Sequence, residues 1–258
     1  MALDPKSILL SERVALVTGA AVGIGEAIAL ALARFGADVA ICDRDAENLA
    51  STAHEIEAAW RQTLCGVLDV RDADSVRSFL EQVAATFGRV DVLVNNAGGG
   101  FLAPFLDVKP KGEDALVREN FTSVTSFVRE VVPLMPETGG SIINITSIEA
   151  HRAGPGYAIY SAMKAAVTNL TKSLALELAE RRIRVNCIAP DAIPTPGIGK
   201  PAVHSPLARA GHVDDIAGAA IFLASDLASY VTGTTLHVDG GSWAAGAWQR
   251  QDDGSYET

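Results

Sequence analysis

The feature that most constrains this chain is an alternation that runs along its length. Short runs that are apolar throughout are separated by longer segments with helical periodicity. "RVALVTG", "DVAIC", "TLCGVL", "VDVLVN", "GSIINIT", "IRVNCI" and "TTLHVD" read as strands. "GIGEAIALALARFGA", "DAENLASTAHEIEAAW", "DADSVRSFLEQVAATFG", "GEDALVRENFTSVTSFVREVV", "YSAMKAAVTNLTKSLALELAE" and "VDDIAGAAIFLAS" read as helices. A strand without polar alternation is buried on both faces, so helices must cover both sides of the sheet. Strand–helix–strand units join parallel strands through right-handed crossovers. The pattern predicts a doubly wound α/β domain, with a mostly parallel seven-stranded sheet between two helical layers. No linker, repeat or composition break divides the chain, so residues 1–258 read as one domain. Within it, 1–11 is an N-terminal extension, 191–211 a loop and 242–258 a C-terminal tail whose last residues, 249–258, are polar and loose.

Composition narrows the partners. Hydrophobic residues make up 48%, enough for a large core, and the net charge of −10 is the wrong sign for a binder of nucleic-acid phosphates. Cys42, Cys65 and Cys187 lie far apart with no C-x-x-C pair, which points to a reducing, cytoplasmic setting and away from structural zinc. His54, His151, His204, His212 and His237 show no ligand spacing, so no metal is expected. The early Asp4 and Pro5 and the short apolar run after them argue against a signal peptide or a membrane span.

The first strand runs into "TGAAVGIG", residues 18–25, where Gly19, Gly23 and Gly25 fall between strand and helix. Missing side chains let backbone approach a pyrophosphate, and the helix N-terminus offers free N–H groups and a positive dipole end. A tight turn with close helix–sheet packing is the plainer alternative. The second strand ends in Asp43, whose carboxylate suits both ribose hydroxyls of an adenosine and repels a 2′-phosphate. NAD(H) is therefore expected over NADP(H), with Arg44 as the one nearby cation that favours a phosphate. Asp45 is better placed than Asp43 to cap the following helix. In "YSAMK", Tyr160 and Lys164 stand one helical turn apart on one face. They are either a surface Tyr on a Lys stem or a proton-transfer pair.

Together these residues resemble the short-chain dehydrogenase/reductase family in its single-domain branch. The resemblance spans almost the whole chain. It rests on "TGAAVGIG", "LDV" at 68–70, "NNAG" at 95–98, Asn120, Ser147 in "ITSIEA", "YSAMK", "RVNCIAP" at 184–190 and "VTGTTLHVDGG" at 231–241. It implies catalytic roles for Asn120, Ser147, Tyr160 and Lys164. It implies cofactor contacts from Gly19, Ala21, Val22, Gly23, Ile24, Gly25, Asp43, Asp69, Val70, Asn96, Ala97, Gly98, Tyr160, Lys164, Pro190, Ile193 and Thr195. Ser147, thirteen positions before Tyr160, matches the family's serine that holds the substrate oxygen. Asn120 matches the asparagine that holds a water in a proton relay. A homotetramer, or a homodimer, is implied as well.

The expected activity is interconversion of a secondary alcohol and a ketone. A free phenol, with a pKa of about 10, is a poor base at neutral pH. Lys164 is expected to lower that of Tyr160 by its charge. Two departures bear on the substrate. Asp191 stands where the family usually has glycine, and its carboxylate would favour an oxidised, positively charged nicotinamide. The segment from Pro190 to Gly211, the family's substrate lid, is short and rich in Pro and Gly, so an irregular loop and an open mouth are expected. That suits a hydroxysteroid or other bulky alicyclic alcohol, with a 3-oxoacyl thioester reductase as the alternative. A non-catalytic dinucleotide-binding sensor is the alternative of a different class, favoured by loss of Ser, Tyr or Lys; all three are present. His151 and Arg152 face either the substrate or solvent. Trp243 and Trp248 pack on a neighbouring subunit or edge the substrate mouth, with subunit packing preferred.

Overall fold

Seven parallel strands form one sheet in the order β3-β2-β1-β4-β5-β6-β7. They are β1 (Val14–Thr18), β2 (Asp38–Asp43), β3 (Thr63–Val67), β4 (Val92–Asn95), β5 (Gly140–Ile145), β6 (Ile183–Pro190) and β7 (Thr235–Val238). The computed structural model describes residues 4–199, 203, 205–251 and 254–257. Parts of the expected extension (1–3), lid (200–202 and 204, hence His204) and tail (252, 253 and 258) lie outside the described residues.

The order reverses at β1, which pairs with β2 on one side and β4 on the other. Successive residues of each strand feed opposite cores, as the pleat requires. Val17, Ile41, Val92 and Ile143 pack with helices α1 (Gly23–Arg34) and α7 (Val213–Ala224) through Ile28, Leu32, Ile216 and Ile221. Leu16, Leu93 and Ile142 face the other layer, where α3 (Ala73–Phe87) supplies Phe79 and α5 (Ser123–Val131) supplies Phe127 and Val131. The helix α2 (Ala46–Ala58) begins at Asp45, whose side chain accepts a hydrogen bond from the Asn48 N–H at 3.2 Å.

Three expectations need correction. Burial on both faces holds for the central strands but not for the edges: β3 alternates between half-buried and exposed, and β7 is half-buried throughout. An edge strand has a neighbour on one side only, so its apolar residues are covered less. The long helix expected over residues 112–132 is broken. It comprises α4 (Pro110–Val117), a wide π turn at Arg118–Thr122, and α5, followed by a tighter turn at Val132–Leu134. The wide turn lies at Asn120, whose side chain bonds three backbone groups (below). The tail is also more ordered than its polar composition suggests. After α6 (Ala158–Glu177) and α7, it forms α8 (Ser242–Ala245) and a small hairpin of β8 (Gln249–Arg250) with β9 (Tyr256–Glu257). Among the described residues of 191–211 there are turns and no helix. No helix among the described residues is long and apolar enough to cross a membrane.

Candidate active site

A cleft of about 790 Å³ opens at the carboxyl ends of the strands, beside the point where strand order reverses. Gly19, Val22, Gly23, Ile24, Asp43, Asp69, Val70, Asn96, Ala97, Gly98, Ser147, Tyr160, Lys164, Pro190, Ile193 and Thr195 all line it. Ala21, Gly25 and Asn120 do not; they brace the lining from behind.

Asp43 is held at the end of β2 by backbone donors: Oδ2 accepts from Ala21 N–H and Oδ1 from Asp45 N–H, both at 3.1 Å. The glycine turn is tied to the segment after β4. Thr18 Oγ1 accepts from the N–H groups of Asn96 and Ala97 at 3.0 Å, and Asn96 Nδ2 donates to the carbonyls of Thr18 (3.0 Å) and Gly19 (2.9 Å). A Cβ on Gly25 would run into the Gly19 carbonyl oxygen and Asn96 Nδ2. A side chain fits there only if the turn is displaced, so with glycine α1 begins flush against the turn. At that helix start Gly23 N–H donates to Glu26 Oε2 at 3.1 Å, so an anionic oxygen already takes one free donor. A backbone stripped of side chains, a helix N-terminus and a fixed carboxylate at the end of β2 fit the pyrophosphate and ribose of a dinucleotide. The Asp69 carboxylate is clamped by Arg71 through Nε at 2.9 and 3.0 Å and Nη2 at 2.5 Å. The Arg71 hydrogen bonds hold its pKa down at about 2. The charge of Asp69 is therefore spent within the protein.

Ser147 follows β5 in extended backbone, and its Oγ accepts from Glu149 N–H at 3.2 Å. It caps the next turn, and with that lone pair used its hydroxyl hydrogen is free to serve the cleft that Tyr160 also lines. Lys164, one turn along α6, is only 5% exposed. Its Nζ donates to the Ile145 carbonyl at 3.0 Å and lies 5.6 Å from the centre of the Tyr160 ring. Burial pulls its pKa down to about 8, against the weaker upward effects of Cys187 and Glu119. The expectation that Lys164 lowers the Tyr160 pKa is not met in the protein alone. Burial raises that of Tyr160, with Glu149 and Tyr157 pushing the same way, while the Ser147 hydroxyl opposes them.

Asn120 is fully buried. Its Nδ2 donates to the carbonyls of Gly99 (2.8 Å) and Leu116 (3.0 Å), and its Oδ1 accepts from Gly99 N–H at 3.2 Å. A Cβ on Gly98 would sit 2.7 Å from Asn120 Oδ1 and 3.0 Å from Lys164 Nζ, so the two polar groups converge over this glycine. Asp191 Oδ1 accepts from Ala192 N–H at 2.8 Å and meets Arg152 at 3.5 Å; Arg152 also pairs with Glu149 at 2.9 Å. His151 packs edge-on to His237 with ring centres 4.5 Å apart, and Trp243 stacks on His237 at 5.6 Å. Trp243 thus packs within its own chain. Among the described residues no group of three or more His, Cys, Asp or Glu could hold a metal ion. Sequence reasoning passed over Glu149, Tyr157, Gly99 and Gly100, which also line the cleft. Their nearness in sequence to Ser147, Tyr160 and Gly98 was the available signal.

A serine and a tyrosine on one cleft wall, with a buried amine behind them and a glycine turn and strand-end carboxylate beside them, fit an oxidoreductase acting on CH–OH groups. The chain belongs to the short-chain dehydrogenase/reductase family. Residues 19–242 match a family model described as enoyl-(acyl carrier protein) reductase. The chain is 40% identical to the 3-oxoacyl-(acyl-carrier-protein) reductase FabG of Thermotoga maritima, over 90% of this chain and 98% of that one. It is 36% identical to gluconate 5-dehydrogenase of Gluconobacter oxydans, over 92% and 97%. Among solved structures it is similar to a 7α-hydroxysteroid dehydrogenase in complex with NADH and 7-oxo glycochenodeoxycholic acid. The TM-score is 0.88 and the identity 34%, over 93% of this chain and 98% of that one.

Proposed function

We propose that the protein interconverts a secondary alcohol and a ketone with NAD(H), using Tyr160 as general acid and base. The observation that carries this is the cleft wall that Ser147 and Tyr160 share, with Lys164 buried one turn behind. The dinucleotide, when bound, supplies the hydride acceptor or donor. In reduction the Tyr160 hydroxyl gives its proton to the substrate oxygen; in oxidation the phenolate takes it back. Ser147 holds that oxygen by donating its hydroxyl hydrogen. Lys164 carries a cation close to the phenolate as it forms, and Asn120 would hold a water that takes the proton on from Lys164. Gly19, Ala21, Val22, Gly23, Ile24 and Gly25 form the pyrophosphate seat, and Asp43 takes the ribose hydroxyls. Asp69, Val70, Asn96, Ala97, Gly98, Pro190, Ile193 and Thr195 complete the cofactor walls.

Asp43 supports NAD(H) over NADP(H), because a 2′-phosphate beside a fixed carboxylate is repelled. The substrate is a bulky alicyclic alcohol of the hydroxysteroid kind. The exposed Phe101 and Phe105 beside Tyr157 offer it an apolar wall, and no helix covers the mouth among the described lid residues. The reading goes with a cytoplasmic homotetramer, which light scattering on the purified protein checks. A 3-oxoacyl thioester reductase is the second reading, favoured by the 40% identical relative. Turnover of a panel of alcohols and ketones with each cofactor tests the proposal. Tyr160→Phe should lower kcat by about a thousandfold while NADH affinity stays within about twofold. A variant as active as the wild type refutes the role, and a clear NADP(H) preference refutes the cofactor assignment.

A further inference from the structure

The turn after β3 and the wide turn before α5 lie far apart in sequence and are tied together in space. Arg118 Nη2 donates to the Arg71 carbonyl at 2.8 Å. The chemistry described above gives this contact no part.

Each end of the tie is a small, well-fastened unit. At one end Asp69 Oδ1 accepts from the Arg71 N–H at 2.9 Å, the Asp69 carboxylate clamps the Arg71 guanidinium, and the Asp69 carbonyl accepts from the Asp72 N–H at 2.9 Å. The Leu68 N–H donates to the Asp43 carbonyl at 2.9 Å, so this turn is also fastened to the end of β2. Its residues Asp69 and Val70 line the cofactor cleft. At the other end Arg118 opens the wide turn, and its own carbonyl accepts from the Ser123 N–H, the bond that closes it. Ser123 Oγ donates to the Glu119 carbonyl at 2.6 Å, and Asn120 sits within the turn with its side chain on Gly99 and Leu116. A π turn is less favourable than the regular helix on either side of it, so a contact from outside helps to decide which is adopted. The other partner of the half-exposed Arg118 is Asp114 at 3.9 Å, a surface pair of little worth.

We propose that Arg118 is a positioning residue for the proton step, carrying the filling of the adenosine end of the cleft to the turn that holds Asn120. The inference rests on the proposed reading, in which Asp69 and Val70 touch the cofactor and Asn120 holds a water. A ligand resting on Asp69 and Val70 favours the ordered 69–72 turn, which offers Arg118 a fixed acceptor. Arg118 held there favours the wide turn over regular helix, and with it the place of Asn120. The coupling is capped by the bond that carries it, about fivefold for one hydrogen bond in contact with water.

Hydrogen exchange reads this coupling without turnover. Saturating AMP, the adenosine half of the cofactor, should slow exchange of the amides of residues 118–123 about fivefold in the wild type. In Arg118→Met, AMP should still bind, no more than about fivefold weaker by calorimetry, and leave those amides unchanged. Arg118→Lys keeps a donor and should recover part of the effect. Asp114→Asn removes only the surface pair and should behave as the wild type. A merely structural role lowers the melting temperature of Arg118→Met and leaves its response to AMP intact. Kinetics adds a second readout. With NADH, Arg118→Met should lose about fivefold in kcat and show a larger solvent deuterium isotope effect, because proton delivery is slowed. Protection that survives in Arg118→Met, protection absent from the wild type, or an unchanged kcat and isotope effect overturns the proposal. Hydride transfer by the wild type without AMP-induced protection sinks the coupling alone, and protection without turnover of any ketone sinks the proposed reaction alone.

Discussion

Replacing Lys164 by methionine removes a buried ammonium, and the structure says how stability should answer. The side chain is 5% exposed, and burial takes its pKa from 10.5 to about 8. That difference is worth about 3 kcal/mol. The folded pKa lies below the unfolded one, so between about pH 8 and 10.5 the unfolded chain binds more protons and stability rises with pH. Below about pH 8 the charged amine is buried at full penalty. Methionine has a similar length and no charge, so the variant loses that penalty at all pH values. It also leaves the Ile145 carbonyl without the Nζ donor, which costs about 1–3 kcal/mol independently of pH. At neutral pH the two effects nearly cancel, or leave Lys164→Met slightly the more stable. The discriminating quantity is the change with pH. Between about pH 7 and 9.5 the wild type should gain about 2 kcal/mol relative to the variant. Urea unfolding of both proteins at several pH values, followed by circular dichroism, measures this; other titrating groups cancel in the difference. A difference that stays flat, or that falls as pH rises, refutes the buried-charge argument. Turnover should be lost in the variant throughout.

The raised Tyr160 pKa has a signed consequence for rate. Reduction needs the neutral phenol and should hold its rate through neutral pH, while oxidation needs the phenolate and should climb with pH above neutrality; steady-state profiles in both directions check it, and an oxidation rate that levels off below pH 7 contradicts it. Gly25→Ala should fold, because local shifts can absorb one methyl, but weaken NADH binding by at least about tenfold as α1 moves off the turn, read by nucleotide fluorescence. Asp191→Gly should reduce the preference for NAD+ over NADH by only about twofold, since Arg152 already shares that charge; an unchanged ratio of dissociation constants removes the residue from cofactor discrimination.

The central sheet was legible because its strands are apolar on both faces, a pattern few other architectures produce. The edges were less so. "TLCGV" has the composition of a core strand, yet β3 is half open because nothing pairs beyond it, and strand order is not written in any one strand. The cofactor cleft was legible because its residues are backbone-like: glycines, a carboxylate ending a strand, an Asn-Asn-Ala-Gly turn. The electrostatics were not. One helical turn between Tyr160 and Lys164 suggests two groups in contact, whereas the amine donates to the Ile145 carbonyl and lies 5.6 Å from the centre of the Tyr160 ring. The Glu149–Arg152–Asp191 cluster was also out of reach, since it joins loops after two different strands.

The wide turn at Arg118–Thr122 amounts to one residue more than a regular helix would hold over the same rise. Helix-forming sequence on both sides means that deleting a single residue from it should leave a continuous and more regular helix. Such a deletion would swing Asn120 by about 100° around the axis, off Gly99 and away from the amine of Lys164. Insertions and deletions in this segment are therefore not silent changes of length. A homologue one residue shorter here would keep the core and lose the asparagine, which makes segment length, rather than the asparagine alone, the trait to follow among relatives.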